Sequence, residues 1–151
     1  MTCAAILGCG GTALTPDELN FFRAADPIGL ILFQRNCAAP DQIRRLVNDF
    51  RYAIGRADAP VLIDQEGGRV ARLRPPQWRA MPAAERFGAI AGRDRALAIE
   101  AAHLNARLLA AELAALGITV NCAPVLDLRV PGASAGIGDR AFAEDAELVA
   151  E

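Results

Sequence analysis

Val61-Leu62-Ile63-Asp64-Gln65-Glu66-Gly67-Gly68-Arg69-Val70-Ala71-Arg72 carries a short aliphatic strand straight into two carboxylates, a double glycine and two arginines. On an extended backbone successive side chains alternate between faces, so Asp64 and Glu66 point the same way. Gly67-Gly68 permits a sharp turn and a close approach of a ligand to the backbone. Acid, turn and base therefore share one loop at the end of a strand. Ionised carboxylates accept hydrogen bonds from hydroxyl groups and guanidinium forks donate to ring substituents, so the loop suits a neutral, hydroxyl-rich ligand. Read from this stretch alone, it equally suits a surface turn with a local Asp–Arg ion pair, since charged turns are common and such pairs contribute little.

The segments on either side repeat the same order of apolar run, polar loop and helix. Ala4-Ala5-Ile6-Leu7 ends at Gly8-Cys9-Gly10-Gly11, and Thr15-Pro16-Asp17-Glu18 then has the cap, the first-turn proline and the reciprocal acid of a capping box. Ile28 to Phe33 reads as a strand covered on both faces. Pro40 opens a helix in which Ile43, Leu46, Val47, Phe50 and Ile54 share one face, stopped by Gly55. Leu73 to about Ala91 is broken by Pro75, Pro76 and Pro82, with a short helix expected near Ala83 to Phe87. Asp94 to Leu116 predicts a long helix with Leu97, Ala101, Leu104, Leu108 and Ala115 on one side, closed by Gly117. Ile118 to Cys122 is the fourth strand, followed by Ala123 to Leu128, a glycine-rich loop around Gly136 to Arg140 and the start of another helix at Asp145.

Four strand–helix units in series predict a parallel α/β architecture with right-handed crossovers. The polar loops fall after the strands each time, where ligand sites collect in both barrels and open sheets, so the pattern admits either. A dinucleotide-binding sheet is disfavoured, because Gly8-x-Gly10-Gly11 is not G-x-G-x-x-G and no acid ends the second strand.

Composition narrows the classes. A chain of 151 residues, 53% apolar, can bury one sizeable core, and residues 1–151 read as one unit. The net charge is −2 and no basic run is interleaved with aromatics, which argues against nucleic acid as a partner. Every basic side chain of the Lys and Arg class is arginine, which excludes lysine Schiff-base chemistry from this chain. Cys3, Cys9, Cys37 and Cys122 form no C-x-x-C pair and His103 is the single histidine, so no zinc site is expected. No basic leader or apolar run of roughly 18 residues is seen, and the expectation is a soluble, cytoplasmic protein without membrane partners.

Four ordered motifs carry a resemblance: Gly29-Leu30-Ile31-Leu32-Phe33-Gln34-Arg35-Asn36, Asp64-Gln65-Glu66-Gly67-Gly68-Arg69-Val70, Ala123-Pro124-Val125-Leu126-Asp127, and Ile137-Gly138-Asp139-Arg140-Ala141-Phe142. Together they resemble the N-terminal half of the family-three glycoside hydrolases, and most of all the bacterial β-N-acetylhexosaminidases that recycle peptidoglycan. The resemblance implies a (β/α)8 barrel of the TIM type, with this chain supplying roughly its first four strands. It also implies a carbohydrate substrate, an N-acetylglucosamine-containing muropeptide, bound without metal or organic cofactor. Carried over residue by residue, Asp64, Arg72 and Arg140 are expected on hydroxyls of the N-acetylglucosamine ring. Glu66, Asp127 and Asp139 are expected to support the site from behind, and Arg69 to brace the loop. His103 matches no catalytic histidine of the family and is expected in packing or at the surface.

The resemblance also has a gap. Members of the family continue with a Lys-His segment, an Asp–His acid/base pair on a loop and a late aspartate nucleophile. None is matched here, so no catalytic residue is assigned: the nucleophile and acid/base are expected beyond Glu151, and the 151 residues alone are expected to be inactive. The alternative is a non-catalytic sugar-binding or half-barrel association module. Half a barrel leaves Ile31, Phe33, Leu62 and Val120 without their full complement of neighbours, and self-association is the expected consequence.

Overall fold

The computed structural model describes residues 1–132 and 134–151. Four parallel strands, β1 (Cys3–Leu7), β2 (Pro27–Leu32), β3 (Val61–Ile63) and β4 (Val120–Asn121), pair in sequence order. Helix α1 (Pro16–Ala25) joins β1 to β2, and α2 (Pro40–Ile54) joins β2 to β3. Two helices, α3 (Glu85–Ala91) and α4 (Arg95–Ala114), fill the longer β3–β4 crossover, and a single turn, α5 (Ala146–Val149), lies near the C-terminus. This is the expected parallel α/β order.

The two faces of the sheet differ. Leu30, Leu32, Val61 and Ile63 are wholly buried against the helices. With Phe22, Ile43, Leu46, Val47 and Phe50 they make the core, and the Phe22 and Phe50 rings meet edge to face at 5.3 Å. Each such side chain contributes about 1.5–3 kcal/mol by leaving water. The opposite face carries the row Ile31, Leu62 and Val120, in register across three strands. That row is only half covered, and Val120 remains 39% exposed.

Helix α1 shows how local chemistry fixes the frame. Thr15 Oγ1 accepts from the N–H of Glu18 (3.2 Å), while Glu18 Oε2 accepts from the N–H of Thr15 (2.8 Å). Its other oxygen accepts from Gly10 N–H at 2.7 Å, so the capping acid also holds the loop after β1. These bonds, from Thr15 first and Gly10 second, hold the Glu18 carboxyl below its usual range. A carboxylate with a depressed folded pKa stabilises the fold above its unfolded pKa, and the contribution is lost as pH falls through the folded value. Glu18→Gln should cost about 1 kcal/mol at neutral pH and remove that part of the acid-side decline, as urea unfolding at several pH values would show.

Three expectations are corrected. The helix in the proline-rich stretch is α3 at Glu85–Ala91, beginning after the site near Ala83 read from the sequence and extending further. The fourth strand narrows to Val120–Asn121, although the N–H groups of Thr119 and Cys122 still reach the Val61 and Ile63 carbonyls at 2.9 and 2.8 Å. In α4 the buried residues are Ala98, Leu109 and Leu113, whereas Leu97, Leu104 and Leu108 face outward. Alanine and leucine surround this helix, so no one stripe stands out, and contact with α3 and, through Leu113, with the main core decides which side is covered.

Candidate functional site

All four strands deliver their following loops to one end of the sheet. After β1 and β2, Asn36 joins the first two loops from a fully buried position. Its Nδ2 donates to the carbonyls of Cys9 (3.2 Å) and Gly11 (2.7 Å), and its Oδ1 accepts from Phe33 N–H at 2.9 Å. Arg35 donates to the Cys9 carbonyl at 3.0 Å and lies 4.6 Å above the Phe33 ring. Among the described residues no candidate metal cluster of histidine, cysteine or carboxylate side chains occurs.

The loop after β3 supplies the charged centre. Arg72 Nη2 donates to Asp64 Oδ2 at 2.7 Å, which leaves Oδ1 without an N–H partner among the described residues. Glu66 accepts a two-pronged bond from Arg140, Nε to Oε2 at 2.8 Å and Nη2 to Oε1 at 2.7 Å. That fork spans 74 residues and joins the β3 loop to the segment after β4. Glu66, then Asp127 and Asp64, raise the Arg140 pKa above its ordinary value, so three carboxylates act on one guanidinium. Asp127 itself is exposed.

Arg69 sits at the other flank as a brace. Its Nε donates to Asp139 at 2.7 Å, and its Nη2 donates to the carbonyls of Ala135, Gly136 and Ile137 at 3.2, 2.6 and 3.0 Å. Of the residues singled out from the sequence, Asp64, Glu66, Arg72 and Arg140 converge, Arg69 and Asp139 pair beside them, and Asp127 stands within electrostatic reach. The local Asp–Arg ion pair of the simpler reading is therefore present, but it is one of three, two of which link separate loops. His103 lies exposed on α4.

The double glycine makes the sharp turn read from the sequence, with φ 101° at Gly67 and 55° at Gly68, but the close approach is not made by a ligand. What approaches its backbone is the segment Met81 to Ala83: a Cβ on Gly67 would land on the Pro82 carbonyl oxygen, and one on Gly68 would lie 2.6 Å from the Ala83 Cβ. Gly68 N–H also donates to the Met81 carbonyl at 2.9 Å. The glycines let the proline-rich crossover lie against the loop and close it from below.

Two positions escaped the sequence reading. Gln65 is 1% exposed, and its side chain bonds to Arg72 and Leu73 across the loop. Asn121 bonds through its side-chain amide to both backbone groups of Gln65. A signal for Gln65 was available in the strand alternation: once Asp64 and Glu66 face the site, Gln65 must face the core with Val61 and Ile63.

The thiols are quiet. Burial pushes Cys9 up to about 11 and Cys37 up to about 12, so both stay protonated near neutral pH. Exposed Cys122 is raised first by burial and then by the Asp64 charge beside it. From the carboxylate–arginine cluster a groove of about 620 Å3 runs between α3, α4 and the segment after β4, with Glu66 and Arg140 at one end and Phe87, Leu109 and Leu126 along its apolar wall.

The family description "Glycosyl hydrolase family 3 N terminal domain" matches residues 24–151. A beta-hexosaminidase of Xanthomonas euvesicatoria is 38% identical over 147 residues, covering 96% of this chain and 42% of its own length. One from Thioalkalivibrio sulfidiphilus is 41% identical over 146 residues, covering 97% and 41%. The crystal structure of NagZ from Neisseria gonorrhoeae with N-trifluoroacetyl-D-glucosamine superposes with a TM-score of 0.91 at 32% identity, over 99% of this chain and 43% of that one. The chain thus spans about two fifths of the length of these relatives.

Proposed function

The chain belongs to glycosyl hydrolase family 3, and from that membership we propose that its strand-end cluster binds the terminal β-linked N-acetylglucosamine of a β-hexosaminidase substrate. The observation that carries the proposal is the convergence of Asp64–Arg72 and Glu66–Arg140 at the C-terminal ends of parallel strands, where barrel enzymes place their substrates. Asp64 keeps Oδ1 for a sugar hydroxyl, and Arg72 and Arg140 offer their remaining N–H groups to neighbouring ring oxygens. Glu66 has both oxygens bonded to Arg140. Its part is to aim Arg140.

The reaction we assign to the whole enzyme is retaining hydrolysis, in which a nucleophile and an acid/base stand about 5 Å apart across the glycosidic bond. The chain's share in that reaction is ground-state and transition-state binding of the sugar. The proposal extends to N-acetylglucosamine-bearing peptidoglycan fragments as substrate, on the motif resemblance, and to the cytoplasm as compartment, to which four free thiols are suited. Arg140→Lys tests the site: the charge remains but the fork on Glu66 is lost. N-acetylglucosamine affinity, followed by calorimetric titration, should fall about tenfold. An unchanged affinity would remove the fork from the binding role.

A second reading, association of the 151-residue chain with itself, is favoured by the half-covered row Ile31, Leu62 and Val120 and by outer strands β1 and β4 that each pair on one side only. Such edges and faces recruit partners. Sedimentation of the purified chain should show dimers or larger species at micromolar concentration, and a cooperative monomer would refute this reading.

A further inference from the structure

Among the described residues, Gln65 and Asn36 are the buried polar side chains. The loop leaves β3 at Asp64 and returns beside it at Arg72, and Gln65 ties the two limbs together. Its Oε1 accepts from the N–H groups of Arg72 (2.8 Å) and Leu73 (3.0 Å), and its Nε2 donates to the Leu73 carbonyl at 3.0 Å. Its own backbone is fixed in turn: the N–H donates to Asn121 Oδ1 at 3.0 Å and the carbonyl accepts from Asn121 Nδ2 at 2.9 Å. The Asn121 amide thereby continues the β3–β4 ladder one step beyond the last paired residue, Ile63.

Every bond of the Gln65 side chain ends on the backbone that carries Arg72 or its neighbour. We propose that Gln65 is the positioning residue of the carbohydrate site, acting through Arg72 by holding its backbone where the guanidinium reaches Asp64. The ligand in this inference rests on the sugar-binding reading; the tie itself rests on the loop geometry. Only a neutral side chain with a donor and an acceptor at this reach serves. Asparagine is one methylene short, glutamate lacks the donor for the Leu73 carbonyl and would put a charge among Val61, Ile63 and Leu73, and methionine leaves two buried N–H groups and a carbonyl unpaired.

The test uses the isotope-labelled 151-residue chain as wild type, Gln65→Met, Gln65→Glu, Arg72→Ala and the double variant Gln65→Met/Arg72→Ala. Amide exchange at Arg72 and Leu73 needs no sugar, and in Gln65→Met it should accelerate about tenfold or more while Leu30 and Ile43 keep wild-type rates. Calorimetric titration with N-acetylglucosamine should show Gln65→Met weakened about tenfold, the loss of one bond to a charged group. In the Arg72→Ala background the same substitution should add no further loss, whereas a merely structural role would add one. Gln65→Glu keeps both acceptor bonds and supplies an intermediate exchange rate if the methionine variant does not fold. Absence of sugar binding by the wild type would remove the carbohydrate reading while the exchange rates still decide the tie. Unchanged exchange at Arg72 and Leu73, or an additive loss in the double variant, overturns the inference.

Discussion

Asp64→Ala is expected to reduce affinity for N-acetylglucosamine by between about tenfold and a hundredfold, since a bond between an ionised carboxylate and a hydroxyl contributes about 1.5–3 kcal/mol. In a complete enzyme the loss should fall on kcat/KM, and be larger wherever the bond tightens in the transition state. The geometry adds a second effect. Asp64 is a side-chain partner of Arg72, whose Nε is buried without an acceptor among the described residues, so removing the carboxylate leaves a guanidinium poorly served on two sides. The variant should therefore also unfold at lower denaturant concentration. Asp64→Asn, which keeps the size and one acceptor oxygen, should fall between alanine and wild type in both measurements. Affinity within twofold of wild type in Asp64→Ala would take this residue out of the site.

The second large effect is expected from Gly67→Ala. Gly67 has φ 101°, a region unfavourable to L side chains, and a Cβ there has no room beside the Pro82 carbonyl. Backbone strain of about 1–3 kcal/mol and the displacement of the crossover should together cost at least about 3 kcal/mol. For a domain of this size that lowers Tm by roughly 10 °C. Gly55→Ala is the control, because Gly55 also has positive φ, 68°, yet nothing lies within 4 Å of its Cβ position. It should show the strain alone, about 1 kcal/mol. Equal thermal shifts for the two variants would mean that the Pro82 segment moves aside without cost.

Much of this molecule is legible in its residues where one physical signal dominates. The Thr15-Pro16-Asp17-Glu18 cap and the face of α2 come from short-range rules, the parallel α/β arrangement from the series of strand–helix units, and each is found as read. The cluster of Asp64, Glu66, Arg72 and Arg140 was legible through motif resemblance, and its members do converge. What could not be read depends on which groups face one another across long separations. Nothing local says that Glu66 and Arg140 form a fork, or that Asn121 lies against Gln65. Helix α4 failed for another reason: with apolar residues on nearly every side, the choice between the faces of Leu104 and Leu109 belongs to the neighbours and not to the helix. The turn at the double glycine is legible in the residues, whereas the crossing segment of the same chain that packs against it depends on tertiary contact.

The two ion pairs that join the β3 loop to the segment after β4 are reciprocal: Glu66 takes Arg140, and Arg69 takes Asp139. Each side thus contributes one acid and one base, and neither gains net charge from the pair. Attraction between them depends on alignment alone. Exchanging partners would set Glu66 against Asp139 and Arg69 against Arg140, turning two attractions into two repulsions. The arrangement works as a parity check, favouring the observed docking of the glycine-rich segment over a swapped one. Salt should blunt that check at Arg69–Asp139 sooner than at Glu66–Arg140, because the former pair is the more exposed to solvent ions.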